Sequence, residues 1–171
     1  MSQMRVLRLR PMTTAEFSTW RARILPGYAA GHVRARVWSA AEADSRAAKL
    51  IGNLLPAGIE TPGMLLLCAE TPDGTPVGMV WLVLDRPRPG AVWIYNIEIF
   101  SDHRGKGYGR ELLEAAEQHS IEHGAQEIGL NVFGANTAAR SLYQSSGYEI
   151  SSLQMHKCLA GTAPAERPPD E

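Results

Sequence analysis

A glycine-rich, basic loop is the part of this sequence whose residue types point most directly to chemistry. Residues 104–109 read Arg-Gly-Lys-Gly-Tyr-Gly, between an apolar run at 92–100 and an amphipathic run at 110–123. The glycines permit positive φ angles, so successive N–H groups can face one concavity, and a helix that begins there adds unpaired donors and the positive end of its dipole. We therefore predict a diphosphate site. Its cations are Arg104, Lys106 and Arg110.

Two common phosphate loops do not fit this stretch. The dinucleotide fingerprint requires a glycine where Arg110 stands, and the nucleotide-binding P-loop requires Ser or Thr after the lysine, whereas Gly107 follows Lys106. The remaining pattern is Arg104-x-x-Gly107-x-Gly109, after a strand and at the start of a helix. The alternative is a glycine-rich connection whose basic residues are merely exposed.

Periodicity and capping residues predict the elements that position this loop. Pro26 and Gly27 should kink or end the first helix. The helix after the loop is a crossover, so the strand that follows it should run parallel to 92–100. In chain order we predict a strand at 4–10, a helix capped at Thr13 or Thr14, a helix over 39–55, strands at 64–70, 77–84 and 92–100, a helix over 110–123, a strand carrying Ile128, Leu130 and Val132, a helix capped by Asn136 and a strand region at 148–159.

Length and composition limit the class of protein. The 171 residues are 44% hydrophobic with a net charge of −1, which predicts one globular domain over 1–160, with a disordered tail over 161–171, and no nucleic-acid partner. The sequence shows no leader and no long apolar run, so we expect a cytoplasmic protein without a membrane partner. Cys68 and Cys158 are expected as buried apolar residues rather than metal ligands, and His32 as a surface or hydrogen-bonded residue.

A second motif follows the loop at a defined distance. Residues 136–148 read Asn-Thr-Ala-Ala-Arg-Ser-Leu-Tyr-Gln-Ser-Ser-Gly-Tyr. Together, the two motifs resemble the signatures of the GCN5-related N-acetyltransferase (GNAT) family, closely over residues 92–150. The resemblance implies an α/β fold with a mixed, mostly antiparallel sheet, flanked by helices, whose parallel central pair is splayed at the CoA site.

The resemblance also implies ligands and roles. Acetyl-CoA would be the acyl donor, an amine the acceptor, no metal would be required, and a homodimer would be common. Tyr143 would protonate the leaving thiolate, and Asn136 would lie near the pantetheine arm. The implied CoA-binding residues are Ile97, Ile99, Arg104, Gly105, Lys106, Gly107, Tyr108, Gly109, Arg110, Asn131, Asn136 and Tyr143.

The reaction itself calls for a proton acceptor, because an amine must be neutral before it attacks a thioester. The period of two along 92–100 places Glu98 on one strand face with Asn96 and Phe100, and we take Glu98 as the candidate base. The alternative for Glu98 is a solvent-exposed strand carboxylate without a catalytic role. The alternative for Tyr143 is a role in core packing of its helix. Asn96 and Asn131 are candidate substrate hydrogen-bonders or backbone partners. A non-catalytic acyl-CoA sensor is the alternative function, and the identity of the amine stays open.

Overall fold

The computed structural model describes residues 7–155 and 157. Short 3-10 turns lie at Gly58–Glu60 and Ser101–His103. The strands are β1 (Arg8–Pro11), β2 (Met64–Glu70), β3 (Pro76–Leu84), β4 (Ala91–Ile99) and β5 (Glu127–Leu130), and the helices are α1 (Thr14–Arg34), α2 (Ala40–Leu54), α3 (Tyr108–Glu122) and α4 (Thr137–Ser145).

The strands form one sheet in the order β1-β2-β3-β4-β5, antiparallel from β1 to β4 and parallel between β4 and β5. One face packs on α3, around buried Leu112 and Leu113. The other face packs on α1 and α2, around Trp20 and Trp81. Apolar side chains alternate along the strands, so each face buries its own core. The predicted mixed sheet flanked by helices is confirmed.

β4 carries an irregularity that shapes one edge of the sheet. Trp81 of β3 pairs with Asn96 and Leu82 pairs with Ile94, so Tyr95 is an extra residue, as in a β-bulge. β5 pairs with β4 only over Ala91–Ile94, although β4 continues to Ile99. The parallel pairing therefore stops at Ile94, where β5 ends at Leu130, and leaves one edge of β4 unpaired beyond that point; the splaying of the pair stays a prediction.

α1 is longer than the sequence indicates. Thr13 caps it in a capping box with Glu16, as predicted, but the predicted end at Pro26 and Gly27 is wrong because the helix continues to Arg34. Proline lacks the N–H for one helical hydrogen bond. Packing offsets that loss, since Ala29, beyond the proline, is buried in a small core with alanines of α2.

The C-terminal region departs from the predicted strand. Residues 148–155 form no strand, and Leu153 and Met155 are exposed. Alternating apolar residues need a partner strand to form a ladder, and no described strand pairs with this segment. β5 also ends at Leu130, before Val132. Residues 156 and 158–171, with the predicted Cys158 and tail, lie outside the described residues. None of the helices in the described ranges is long and apolar enough to span a bilayer.

Candidate active site

The glycine loop opens α3 and leaves room beside its backbone. Gly107 is the N-cap at φ 89°, and Gly105 has φ 71°, conformations that favour glycine. A Cβ at either position would meet nothing within 4 Å. Among described residues, no backbone hydrogen bond uses the N–H of Gly105, Lys106 or Gly107. This arrangement of donors at the N-terminus of a helix suits an anion.

The cations around the loop also tie it to its neighbours. Arg104 Nε donates to the Ile99 carbonyl over 3.0 Å, and Lys106 Nζ donates to the Asp102 carbonyl over 2.8 Å. Arg110 reaches across to α4, where it donates to the hydroxyls of Ser145 and Ser146 over 2.7 and 3.0 Å. Arg104 therefore links the loop to β4, and Arg110 links the start of α3 to the end of α4.

The open edge of β4 lies next to this loop. Phe100 N–H donates to Val77 O on β3. Backbone groups alternate sides along a strand, so those of Ile97 and Ile99 point to the other side, where β5 has already ended. The side chains of these isoleucines pack in the core beneath α3. Their backbone N–H groups are thus directed into the gap beside β4 that opens where β5 ends.

Tyr143 lies on α4 beside the loop. Its ring packs against the core under α3, and burial raises the pKa of its phenol above the usual value. Its hydroxyl has no hydrogen-bond partner among the described residues. α4 approaches closely because Gly109 has no side chain: a Cβ there would lie 3.4 Å from Leu142. The two sequence motifs therefore meet in space, with a protonated phenol available.

Glu98 occupies the opposite face of β4, under α1. Its carboxylate accepts a hydrogen bond from Arg23 Nη2 over 3.2 Å and lies 3.9 Å from Arg104 Nη2. Arg23 also stacks over the Phe100 ring at 5.1 Å. Glu98 and Tyr143 thus flank the open edge of β4 from the two faces of the sheet.

The candidate asparagines have structural partners. Asn96 Oδ1 accepts the indole N–H of Trp20 over 3.3 Å. Asn136 is the N-cap of α4, where its Oδ1 accepts the Ala139 N–H over 3.2 Å, as its predicted capping role requires. Asn131 is exposed directly after β5.

Sequence analysis missed one group of residues, which we call the aromatic cluster. The His32 ring stacks on Trp38 at 3.9 Å, lies 4.4 Å from the Tyr28 ring and meets the Phe133 ring edge-on at 5.3 Å. The spacing of Tyr28 and His32 on one helix face was a usable signal. Nothing in the sequence brings Phe133, from the segment after β5, to them.

The comparisons with known proteins agree with this geometry. Residues 27–148 match the model of the acetyltransferase (GNAT) family. The uncharacterized N-acetyltransferase YycN of Bacillus subtilis is 31% identical over 88% of this chain and 97% of its own. The uncharacterized N-acetyltransferase YdgE of the same organism is 28% identical over the same shares. The crystal structure of YycN superposes with a TM-score of 0.86 at 30% identity, covering 91% of this chain and 99% of that one.

This chain belongs to the GNAT acetyltransferase family. More distant structures share the fold. The aminoglycoside acetyltransferase AAC(6')-Iy, solved with a CoA-containing bisubstrate analogue, matches with a TM-score of 0.56 at 17% identity over 90% of this chain and 98% of its own. Within residues 7–155 and 157, no group of three or more His, Cys, Asp and Glu side chains is placed to hold a metal ion.

Proposed function

We propose that this protein transfers the acetyl group of acetyl-CoA to a primary amine by direct attack. The observation that carries the proposal is the open edge of β4 beyond Tyr95. The glycine loop adjoins this edge, and Tyr143 and Glu98 approach it from opposite faces of the sheet. A thioester bound at this edge would lie beside the glycine loop, which would bind the diphosphate. Tyr143 as acid and Glu98 as base would lie near the same edge.

The donor would be held mainly by backbone groups. The diphosphate of CoA would accept hydrogen bonds from the loop N–H groups at residues 105–109, with the α3 dipole favouring its charge. The free N–H groups of Ile97 and Ile99 would bind the pantetheine arm and polarise the thioester carbonyl as the tetrahedral intermediate forms. Asn131 and Asn136 would border the arm beyond β5.

The proton transfers follow from the balance of the reaction. The acceptor enters as an ammonium ion and leaves as an amide, so its nitrogen gives up two protons while a C–N bond forms and the C–S bond breaks. Glu98 would accept a proton from the nitrogen, with Arg23 and Arg104 holding its carboxylate. The other nitrogen proton would pass to solvent. Tyr143 would donate its proton to the departing CoA sulfur and regain one from solvent once Glu98 has released its own, so one proton is released for each amide formed.

The test is a screen of amines for CoA release with acetyl-CoA as donor. The panel includes polyamines, amino acids, aminoglycosides, and peptides with a free N-terminus or lysine. Calorimetry with CoA alone runs beside it. Turnover of at least one amine supports the proposal, whereas tight CoA binding without turnover of any amine would favour an acyl-CoA sensor. The cytoplasmic location, the single domain over 1–160 and the homodimer stay predictions.

A further inference from the structure

The aromatic cluster lies where the two parallel strands part. Phe133 follows the last paired residue of β5, Leu130, and its ring contacts His32. His32 is therefore in contact with the segment that follows β5, beside the unpaired edge of β4 that would receive the thioester.

The hydrogen bond of His32 defines its tautomer. Nδ1 lies 3.0 Å from the carbonyl oxygen of Tyr28. A carbonyl can only accept, so Nδ1 carries the hydrogen, and in the neutral ring Nε2 keeps its lone pair. Nε2 has no hydrogen-bond partner among the described residues. The ring thus offers an unused proton acceptor.

Packing holds this ring in one orientation. Trp38 stacks on the ring with an interplanar angle of 18°, Tyr28 lies 4.4 Å away, and Phe133 meets the ring edge-on. Phe133 itself lies directly against α1, since a Cβ on Gly31 would come within 2.7 Å of its ring. Tyr28 has the only titratable ring among those of the described residues that contact His32. Burial, and to a smaller extent the electrostatic effect of Tyr95, raises the pKa of its phenol. Tyr28 therefore stays neutral through the pH range in which an imidazole titrates.

We propose that His32 is a second proton acceptor, which takes the first proton from the incoming ammonium through Nε2 and passes it to solvent. This inference rests on the proposed function. The neutral amine then attacks the thioester, Glu98 takes the second nitrogen proton as the intermediate collapses, and the CoA sulfur receives the proton of Tyr143. One proton reaches solvent for each amide formed. Imidazole suits the first step because its neutral ring has one nitrogen that can accept a proton.

The experiment compares His32→Asn with the wild type on an amine that the screen identifies. Asparagine keeps an N–H for the Tyr28 carbonyl but has no group at the Nε2 position. We expect kcat/KM for the amine to fall on the order of 10²-fold at pH 7 and to recover toward wild type as pH nears the pKa of the amine. CoA affinity should not change. Added imidazole should restore part of the activity of His32→Ala.

A matched control is available on α3. His123 makes the same bond, from Nδ1 to the carbonyl four residues earlier, over 2.8 Å, at an exposed site. His123→Asn should keep wild-type activity. A loss in His32→Asn that is equal at every pH, or no loss, would overturn the inference while leaving acetyl transfer intact. Wild-type protein that acetylates no amine would remove both proposals.

Discussion

The region proposed to bind the acyl donor, here called the donor side, and the region proposed to bind the amine, here called the acceptor side, are built in different ways. The donor side consists of two short segments of the chain, residues 97–109 and 136–147. Its main binding groups would be backbone N–H groups whose positions depend on glycines. The acceptor side joins α1, the connection after it, β4 and the segment beyond β5 through side chains such as His32 and Phe133. Backbone sites depend on conformation, and side-chain sites depend on packing. The two sides should therefore fail in different ways when they are altered.

The largest expected effect tests whether Tyr143 belongs to the chemistry or only to packing on the donor side. Tyr143→Phe removes one oxygen, so kcat at saturating acetyl-CoA should fall by about 10² to 10⁴ if the phenol protonates the thiolate. Loss of a hydroxyl costs only about 1 kcal/mol of stability. The thermal midpoint and the CoA affinity, measured alongside, should stay near wild type. An unchanged kcat would mean that Tyr143 packs and does not act.

Gly107→Val breaks the backbone-built side directly. Gly107 has φ 89°, and the space beside it is open, so valine strains the turn and fills the volume that a phosphate would enter. The loss of two charge-assisted hydrogen bonds to the phosphates should cost about 4 kcal/mol of binding free energy. Calorimetry should therefore show a Kd for CoA that is about 10³-fold higher than that of the wild type. Gly124→Val is the control, because Gly124 has φ 82° and equally open surroundings but lies at the other end of α3. Equal CoA affinity in both variants would show that the loop is only a connection.

Glu98→Gln tests the base on the acceptor face of β4. The amide cannot accept the second nitrogen proton, so kcat/KM for the amine should fall about 10²-fold at pH 7 and recover in part at high pH, where hydroxide can take that proton. The measurement is a pH–rate profile with acetyl-CoA saturating. A uniform loss at every pH would assign Glu98 to substrate binding through its pairing with Arg23.

Gly31→Ala breaks the packing on which the acceptor side depends. The new methyl would lie 2.7 Å from the Phe133 ring, which must move away from His32. An aromatic contact is worth about 0.5–1.5 kcal/mol, so KM for the amine should rise about two- to tenfold. CoA affinity should not change, and alanine should stabilise the helix because its helix propensity is higher than that of glycine. Gly27→Ala, with nothing nearby, should raise the thermal midpoint without changing KM.

The smallest expected effect concerns how the start of α1 is anchored. The side-chain hydrogen bond from Arg10 lowers the pKa of Glu16 to about 2 from its usual 4.5. The folded-state pKa is depressed, so the stabilisation is complete above pH 4.5 and is lost as pH falls toward 2. Because the pair is partly exposed, it contributes about 1 kcal/mol. Glu16→Gln should reduce the change in the free energy of unfolding between pH 4.5 and pH 2, as measured by urea titrations. An unchanged pH dependence would contradict the pairing.

Sequence could predict the secondary-structure elements of the donor side because their signals are local. Glycine positions, the Asn136 cap and apolar periodicity each act within a few residues, and α3, α4 and the parallel pair followed from them. The length of α1 beyond Pro26 and the absence of a strand over residues 148–155 could not be predicted, since tertiary packing decides both. The partners of Glu98 and the contact of Phe133 with His32 join residues far apart in the chain. No local pattern encodes such contacts.

The bulge at Tyr95 has a consequence for how this protein could lose its activity. Trp93 and Tyr95 face the helices α1 and α2, and so does the next residue, Asn96, because the bulge adds one residue to the strand. Deleting the single codon of Tyr95 would restore a regular strand in which Ile97 and Glu98 keep their faces. The fold would survive while the bend at the gap disappeared. A chain one residue shorter, with every other proposed site residue intact, would then be a folded protein with a regular β4 strand at the proposed acetyl-transfer site, a change that no substitution at Tyr95 can reproduce.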